Sequence, residues 1–498
     1  MDDDDENLLS GPAPLRAPLA NTSSPRDAEP EDDIEVLLRW QEDRMKRRLA
    51  GEYESAVVRI AELVNGNLDA PARISAVRVL GATTTRPGFL HALIAPHLGE
   101  QATFGDALHA TRGIVESLAR TDAFTGVAPT LALATSPLAK PGDLDVLLHV
   151  REHSRFYFRT ATELGDGEGS ASATGRIRNV FGGAETLAAS VSFGTKTRHS
   201  FTATFAAPIV TGKHLNTRAE LQVYGSHLDN ESWASSSEEI EGVKTAIRRD
   251  TPWGTHEFAY ELAQRHICGL LPSASLSMRE QARDTTKSAL SHTFVHDSRV
   301  ESSAGRLGPY LKLSQELAGV ALGGDAAHLK GEAHASFSGR FFPGTTLSLS
   351  TRAGLLYPLA PSRQTLFSDR FQLGGPLSVR SMRWNGLGAR DGPDSLGGDL
   401  YWAAGVSLIG DIPRKPHWPL KTHAWVNAGR LDGLDLARRP LADQIRATLA
   451  SPSVTAGVGL IFNHGLARAE INFGVPLVAA KSDRVVKGLQ VGVGLEFL

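Results

Sequence analysis

Two groups of residues have types and spacings that could support chemistry. His292 and His296 are four positions apart, which on a helix is the spacing of two metal ligands. They flank a segment that alternates like a strand, and no third ligand accompanies them. We therefore expect no metal there, and a position either in a loop or in the lumen of the β-barrel predicted below. Gly386-Leu387-Gly388 lacks the preceding strand and the following helix of a dinucleotide-binding loop. The sequence shows no catalytic triad, Walker loop or cysteine cluster, so we predict neither an enzyme nor a cofactor.

The composition excludes several classes of protein. The chain has 498 residues, a formal net charge of -3 and a mean hydropathy of -0.17. It contains no run of about 18 apolar residues, which excludes a helical membrane protein. The near-neutral charge argues against a nucleic-acid-binding protein, which would carry a basic surplus. Because Cys268 is the one cysteine, no disulfide can form within the chain. The 49 glycines are about 10% of the chain against a usual ~7%, which at first indicates a soluble, glycine-rich β protein.

The first 70 residues differ from the rest in composition. Residues 1–35 contain eleven acidic residues among prolines and small polar residues, so we predict a disordered acidic tail. A solubilising role is favoured over a metal site or a partner-binding segment. The tail has neither the apolar core of a secretory signal nor the acid-free arginines of a mitochondrial presequence. Residues 36–70 place apolar residues at helical spacing among charges, which predicts an amphipathic helical segment that connects domains or, alternatively, lies on a membrane.

Residues 71–152 predict a small α/β domain. The expected elements are, in order, a strand at 74–80, helices at 87–98 and 104–121, and strands at 126–134 and 143–150. Thr103 is the expected cap of the second helix. This order of strand, helix, helix, strand and strand resembles the polypeptide-transport-associated (POTRA) domain.

Residues 153–498 are dominated by alternation of apolar and polar residues. The odd positions of 333–341 are Ala, Ala, Phe, Gly and Phe, and those of 469–477 are Ala, Ile, Phe, Val and Leu. The region is long enough for about sixteen strands of roughly ten residues, joined by loops of about ten. The intervening positions are often glycine, serine, threonine, histidine or charged, as a wet lumen requires. We therefore predict a mainly β fold, a transmembrane β-barrel of about sixteen strands without intervening helices. A soluble multi-sheet protein is the alternative.

Several segments of this region resemble a known family. They are Glu-Gly-Ser at 168–170, Arg-Asn-Val-Phe-Gly-Gly-Ala-Glu at 178–185, and the stretches 313–319, 370–380, 385–388 and 395–402. Together they resemble the central β-barrel subunit of the mitochondrial sorting and assembly machinery (SAM, also called TOB), a relative of bacterial BamA in the same outer-membrane insertase superfamily. The resemblance covers roughly residues 70–498 and leaves out the acidic tail.

The resemblance implies a role for a loop motif made of Val379, Arg380, Ser381 and Met382. Family members carry an arginine-glycine-aromatic triplet here, and this chain keeps the arginine and a small residue but has methionine in place of the aromatic residue. By resemblance, the loop folds back into the barrel and Arg380 pairs with an acidic residue of the inner wall. The sequence does not identify that acidic residue. A guanidinium in a confined lumen needs such a partner, and a carboxylate can bind it with two hydrogen bonds. The methionine therefore changes the packing part of the motif and leaves the salt bridge.

The last strand carries a second signal. Mitochondrial barrel precursors have a targeting pattern there: polar, any, glycine, any, any, hydrophobic, any, hydrophobic. Gln490, Gly492, Leu495 and Phe497 fit this pattern one residue from the end. We therefore predict that the last strand carries a targeting signal of the kind found in such precursors.

A weak seam between the first and last strands follows from the glycines of the last strand. Gly488, Gly492 and Gly494 contribute no side-chain packing, so we predict a lateral gate between the strands at about 153–163 and 488–497. A client strand would pair with the edge that the open gate frees, because unpaired backbone groups are costly in lipid. The alternative is that these glycines relieve crowding in the lumen.

The resemblance implies an insertase that folds and inserts β-barrel precursors into the mitochondrial outer membrane. Its N-terminal domain would face the intermembrane space, and peripheral subunits of the sorting and assembly complex would bind the cytosolic face. The expected partners are those subunits, unfolded β-barrel precursors and the lipid bilayer, with no nucleic acid. The alternatives are an outer-membrane metabolite pore and a barrel that translocates polypeptides.

Overall fold

The protein is described here by a computed structural model. It covers residues 64–494, apart from 100, 166–167, 212–213, 303–304, 320–321, 361–364, 413–414, 416–417 and 465–466, together with 39–40, 42–43 and 45–46. The acidic tail, most of the predicted helical segment 36–70, Leu495 and Phe497 lie outside the described residues. In the part of the chain that is described, no helix is both long and apolar enough to cross a membrane.

The chain divides into two compact units. The first contains the chain up to Gly81, with Ile94–Glu116 and Val127–Val150. The second contains Ala82–Leu93, Ser117–Gly126 and everything from Arg151 onward. The predicted boundary near residue 152 therefore lies close to the start of the last and longest segment of the second unit.

A three-stranded sheet with two helices forms the N-terminal part of the chain. Its elements are β1 (Arg73–Leu80), α1 (Pro87–Ile94), α2 (Phe104–Ala119), β2 (Phe124–Leu133) and β3 (Asp143–Glu152). The sheet order is β1-β3-β2, with β1 parallel to β3. This is the predicted order of elements. The first helix ends at Ile94, before the predicted residue 98, because Pro96 has no N–H to continue the α-helical pattern and a 3₁₀ turn follows at Ala95–His97.

The second helix begins where the sequence predicts. The hydroxyl of Thr103 accepts a hydrogen bond from Asp106 N at 3.1 Å, and the Asp106 carboxylate accepts one from Thr103 N at 3.1 Å. This reciprocal arrangement is a capping box, which satisfies backbone N–H groups that the helix leaves without partners. In the first unit, Ile114 of α2 and Val146 and Leu148 of β3 are fully buried.

Among the residues that the structure describes, sixteen long antiparallel strands form the second unit's sheet. They are β4 (Phe156–Gly165), β5 (Glu168–Arg178), β6 (Thr186–Gly194), β7 (Thr197–Thr211), β8 (His214–Asp229), β9 (Ser237–Thr251), β10 (Gly254–Cys268), β11 (Asp284–Asp297), β13 (Gly305–Ala318), β14 (His328–Phe342), β15 (Thr345–Pro358), β18 (Leu400–Asp411), β19 (Leu420–Asp432), β20 (Ser453–His464), β21 (Ala467–Val478) and β22 (Gly488–Gly494), with a short β12 (Val300–Ser302) on β13 and a hairpin of β16 (Ala389–Asp391) and β17 (Asp394–Gly397). The predicted mainly β fold of about sixteen strands is confirmed.

The strand order runs round a ring in which β22 lies beside β4. The other neighbours among the sixteen strands pair residue by residue, as β4 does with β5 and β21 with β22. Between β22 and β4 the described residues share no such register, so a continuous ladder does not close the ring. We call this place the seam.

The predicted alternation separates an outer face from a lumen face. In β21, Ile471 and Phe473 are about half exposed, whereas Glu470 and Asn472 between them are buried. Because successive side chains of a strand point to opposite faces, the apolar residues face outward, where lipid lies around a membrane barrel, and the polar ones face the lumen.

Two expectations about the connections are wrong. Short helices do intervene between strands, at α3 (Glu231–Ala234), α4 (Leu276–Gln281) and α5 (Leu441–Ala450). Strands are also longer than ten residues, up to 16 in β8, and several of the turns contain two residues. A strand of that length reaches about 53 Å, so its ends extend beyond an apolar band of about 25 Å.

The lumen position expected for His292 is wrong. In β11 the inward-facing residues are the odd ones, such as Lys287, so His292 lies on the outward face with the exposed Leu290. Its ring stacks on Phe258 with centroids 4.4 Å apart, and its Nε2 lies 3.2 Å from Nδ1 of His256. The pair His292 and His296 therefore belongs to the outer surface of β11.

Candidate functional site

The long connection between β15 and β18, which the structure describes at 359–360 and 365–399, folds into the ring and packs on the strands' inner faces. We call it the lumen loop. Its buried apolar side chains join those of β15, β18 and β19 in one cluster: Leu356, Phe371, Leu373, Val379, Met382, Leu387, Tyr401, Ala403 and Leu431. The structure thus places the loop motif where the resemblance implies, inside the barrel wall.

Arg380 is buried against two strands. Its Nε donates to Glu470 Oε2 at 2.9 Å, its Nη2 to Glu470 Oε1 at 3.2 Å, and its Nη1 to Asn427 Oδ1 at 3.0 Å. The side chains of Arg380 and Glu470 are 1% and 0% exposed. Glu470 is therefore the acidic residue that the sequence left unidentified. We call Arg380–Glu470 the apex pair.

Glu470 is shared among several partners. Arg468, on the same face of β21, also forms an ion pair with it. Asn472 Nδ2 donates to Glu470 Oε2 at 2.9 Å, and the oxygen of the same amide lies 2.6 Å from His423 Nε2. A buried ion pair is maintained only where further hydrogen bonds satisfy the charges, and this network supplies them.

The two residues after Arg380 complete the motif in different ways. Ser381 has a φ of 60°, a left-handed conformation that costs a residue with a Cβ about 1–2 kcal/mol and that glycine adopts without this cost. Its hydroxyl lies directly over Gly474, where any Cβ would collide with it. Met382 is fully buried in the apolar cluster, as is Val379, so methionine fills the space in place of an aromatic ring.

Gln490 connects the loop to the last strand. Its Oε1 accepts from Ser381 N at 2.9 Å, and its Nε2 donates to the Met382 carbonyl at 2.9 Å. Two further backbone hydrogen bonds tie the chain just before β22 to the loop, Val486 N to Ser381 O and Arg383 N to Arg484 O, both at 2.8 Å. The polar residue of the predicted targeting pattern thus binds the loop motif.

The glycines of β22 lie opposite the charged residues of β21. Gly492 pairs with Glu470 and Gly494 pairs with Arg468 in the ladder. Because directly opposite residues share a face, the missing side chains leave space for the Glu470 network. Gly488, with a φ of 100°, instead begins the strand in a conformation that favours glycine. This arrangement fits the alternative in which the glycines relieve crowding.

A second buried pair, which the sequence reasoning missed, holds the start of the loop. Arg265 of β10 donates from Nη1 to Asp369 Oδ1 at 2.6 Å and from Nη2 to Oδ2 at 3.1 Å. Both side chains are at most 5% exposed. Lys330 Nζ donates to the Asp369 carbonyl at 2.8 Å. We call Arg265–Asp369 the entry pair.

Asp369, His328 and Glu316 also have the geometry of a metal site, with ligand atoms within 4.8 Å of one another. The protein's own cations bind these carboxylates, however. Arg265 binds Asp369, and Lys287 Nζ lies 2.9 Å from Glu316 Oε2. We interpret the cluster as a charge network in which side-chain cations take the place of a metal.

Another polar cluster in the second unit lies at the end of β3. The carboxylate of Glu152 accepts hydrogen bonds from the hydroxyls of Thr83 and Thr85 at 2.9 and 2.7 Å and from Thr84 N at 3.1 Å. Partial burial opposes ionisation, but the hydrogen bonds from Thr85, Thr83 and Thr84 outweigh it and lower the pKa of Glu152 to about 2. Asn179, in the 178–185 segment, donates to the Thr84 and Thr85 hydroxyls.

Comparisons with known proteins agree on one superfamily. A family model described as the Omp85 superfamily domain matches residues 179–497. A SAM50-like protein of Schizosaccharomyces pombe is 32% identical over 88% of this chain and 94% of its own length. The sorting and assembly machinery component 50 homolog B of Xenopus laevis is 33% identical over 77% of this chain and 82% of its own length. BamA from Haemophilus ducreyi lacking POTRA domains 1–3 aligns with 85% of this chain and 84% of its own, with a TM-score of 0.69 and 13% identity, which is a likeness of fold.

Proposed function

Because the chain belongs to the Omp85 superfamily and, within it, to the SAM50 family, we propose that it assembles β-barrel proteins in the mitochondrial outer membrane. It receives unfolded precursors and inserts them through a lateral gate. The observation that carries this proposal is the seam, where the described residues of β22 and β4 are neighbours without the register that joins the other strands. The work is non-covalent, so the protein is not an enzyme and uses no cofactor.

The seam supplies the backbone hydrogen-bond partners that a membrane strand lacks before its barrel is complete. Each unpaired backbone N–H or C=O costs several kcal/mol in lipid. An open strand edge offers partners for those groups by adding the incoming strand to the sheet. In the proposed mechanism the seam opens and the client's terminal strand pairs with the edge of β4. Later strands of the client then add as hairpins, until the new barrel closes on itself and separates.

The lumen loop stabilises one side of the seam in this mechanism. The apex pair holds the loop on β21, and Gln490 binds the loop from β22. The last strand is therefore attached from inside the lumen as well as through its ladder with β21. Strand β4 has its ladder with β5 and so is the edge that is left to act as a template.

The same loop argues against an open metabolite pore. Its buried residues pack on the inner faces of β15, β18 and β19, where a conducting channel would need water. In the proposed arrangement, the N-terminal domain faces the intermembrane space. The peripheral subunits of the sorting and assembly complex bind the cytosolic face, and the clients are β-barrel precursors.

Depletion of the protein tests the proposed function. Mitochondria isolated after depletion should import radiolabelled barrel precursors but fail to assemble them into protease-resistant, heat-modifiable forms. Re-expression of the chain should restore assembly. Unimpaired assembly after depletion would refute the proposal, and large steady conductance of the purified protein with intact assembly would favour a pore.

A disulfide across the seam tests the mechanism. In a Cys268→Ser background, cysteines placed in β4 and β22, at Thr160 and Val491 and at neighbouring positions, are oxidised and the closed fraction is measured. The locked protein should stop inserting clients and recover on reduction. The matched control is a lock between Ala161→Cys and Ser172→Cys, which are paired across β4 and β5 and do not span the seam. Normal insertion by a protein shown to be locked at the seam contradicts the mechanism.

A further inference from the structure

The entry pair and the apex pair lie on opposite walls of the barrel. Arg265 is on β10 and Glu470 is on β21, and these strands are eight places apart in either direction round the ring of sixteen. Asp369 and Arg380 are eleven positions apart in the chain. Between them the chain turns at 375–379 and packs Phe371, Leu373 and Val379 against the inner faces of β15, β18 and β19.

From these contacts we infer that Arg265 and Asp369 are positioning residues of the lumen loop, and that the two pairs together make residues 369–380 a tie between two distant strands of the wall. The expected effect of the tie on barrel assembly rests on the proposed function. The attachment of the lumen loop at both ends does not depend on that function.

The contacts around the entry pair are those of an anchor. The two hydrogen bonds from Arg265 to Asp369 are buried, in contrast to surface ion pairs, which contribute little. Lys330 holds the backbone of Asp369, and the ring of Phe367 stacks on Trp233 with centroids 5.6 Å apart. Three contacts thus hold the start of the loop: Arg265 binds the Asp369 side chain, Lys330 binds the Asp369 carbonyl, and Trp233 stacks on the ring of Phe367.

The polarity of the pairs adds a second argument. At the apex, the loop supplies the arginine and the wall supplies the carboxylate, whereas at the entry the loop supplies the carboxylate and the wall supplies the arginine. Each loop group therefore matches its own site, and at the other site the wall residue of the pair would carry the same charge as the loop group. This arrangement fixes the register of the loop along the lumen, because like charges oppose a slip.

A double-mutant cycle tests the tie. Leu373, between the two anchors and 4% exposed, is replaced by cysteine in a Cys268→Ser background, and its rate of reaction with a water-soluble maleimide reports release of the loop. Arg265→Gln and Asp369→Asn should each raise this rate at least about tenfold and slow the assembly of imported barrel precursors. The double variant Arg265→Gln/Asp369→Asn, which leaves no unpaired charge, should be less affected than either single variant.

Two controls separate the tie from general instability. Lys244→Gln breaks the ion pair with Glu257, 2.7 Å long and confined to the wall strands β9 and β10, and should leave labelling unchanged. Heat-modifiability of the barrel should be retained by every variant at the labelling temperature. Parent-like labelling in both single variants overturns the anchor. Faster labelling with normal assembly overturns the positioning role. Failure of the parent protein itself to support assembly counts against the proposed function alone.

Discussion

The two anchors of the lumen loop have similar geometry and different surroundings. Each is a buried arginine with two hydrogen bonds to a carboxylate. At the apex, one carboxylate, Glu470, serves both Arg380 and Arg468. At the entry, Asp369 lies in a network with Arg265, Lys287 and His328, and Arg265 also interacts electrostatically with Glu238. The loop therefore depends on a single acid at one end and on a redundant network at the other.

The largest effect should follow removal of Glu470. Glu470→Gln leaves two guanidiniums beside each other without a carboxylate, and breaking a buried pair costs about 3–5 kcal/mol. Arg380→Gln should cost less, because Glu470 keeps Arg468. Maleimide labelling of the Leu373→Cys reporter and assembly of imported precursors measure both effects. Glu257→Gln, in the wall pair with Lys244, is the matched control. An equal or larger effect of Arg380→Gln would show that the shared acid is not what distinguishes the apex.

Removal of the entry carboxylate should have a smaller effect. Asp369→Asn should destabilise the docked loop by about 2–3 kcal/mol, since Arg265 keeps Glu238 nearby and Lys330 keeps the backbone carbonyl. The same reporter measures it. If Asp369→Asn releases the loop as fully as Glu470→Gln, the network does not compensate and the contrast between the anchors fails.

Loss of the Gln490 contacts should weaken the attachment of the lumen loop near the apex pair without releasing the loop. Gln490→Leu removes two hydrogen bonds and leaves Ser381 N unsatisfied, at a cost of about 1–2 kcal/mol. Hydrogen exchange at the Ser381 amide should accelerate while labelling at residue 373 changes little. Leu489→Ala, an outward-facing neighbour on β22, is the control. Unchanged exchange at Ser381 would mean that Gln490 does not protect the loop.

The smallest effect on stability should come from Glu152, whose carboxylate is bound by the uncharged hydroxyl and N–H groups of residues 83–85. The pKa of Glu152 in the folded protein, about 2, lies below its ordinary value of 4.5, so its contacts stabilise the fold above pH 4.5. They weaken as the pH falls toward 2. Exchange protection of the Thr84 and Thr85 amides should therefore decline over that range. Glu152→Gln should lower the protection and remove its pH dependence. Because the donors carry no charge, added salt should matter little here. A protection that is constant from pH 5 to pH 2 contradicts the assignment.

The sequence alone predicted those features of the fold and the site that leave a pattern in neighbouring residues. Alternation predicted the strands, and the mainly β fold of about sixteen strands agrees with it. The resemblance directed attention to Arg380. Glu470 and Arg265 could not be found in the same way, because each pairs with a residue 90 or 104 positions away. Many lumen-facing positions are polar, so an anchor has no distinctive signal within the alternation. Asp369 stands directly between Ser368 and Arg370, so its neighbours in the sequence do not mark it as a buried residue either.

The positions of the anchors along the chain decide which strands each contact requires. Arg265 precedes the loop, so the entry contact needs β10 and the loop alone. Glu470 follows the loop in β21, so Arg380 has no carboxylate to bind until that strand has joined the wall. Burial of Arg380 therefore requires that the C-terminal part of the barrel wall has formed.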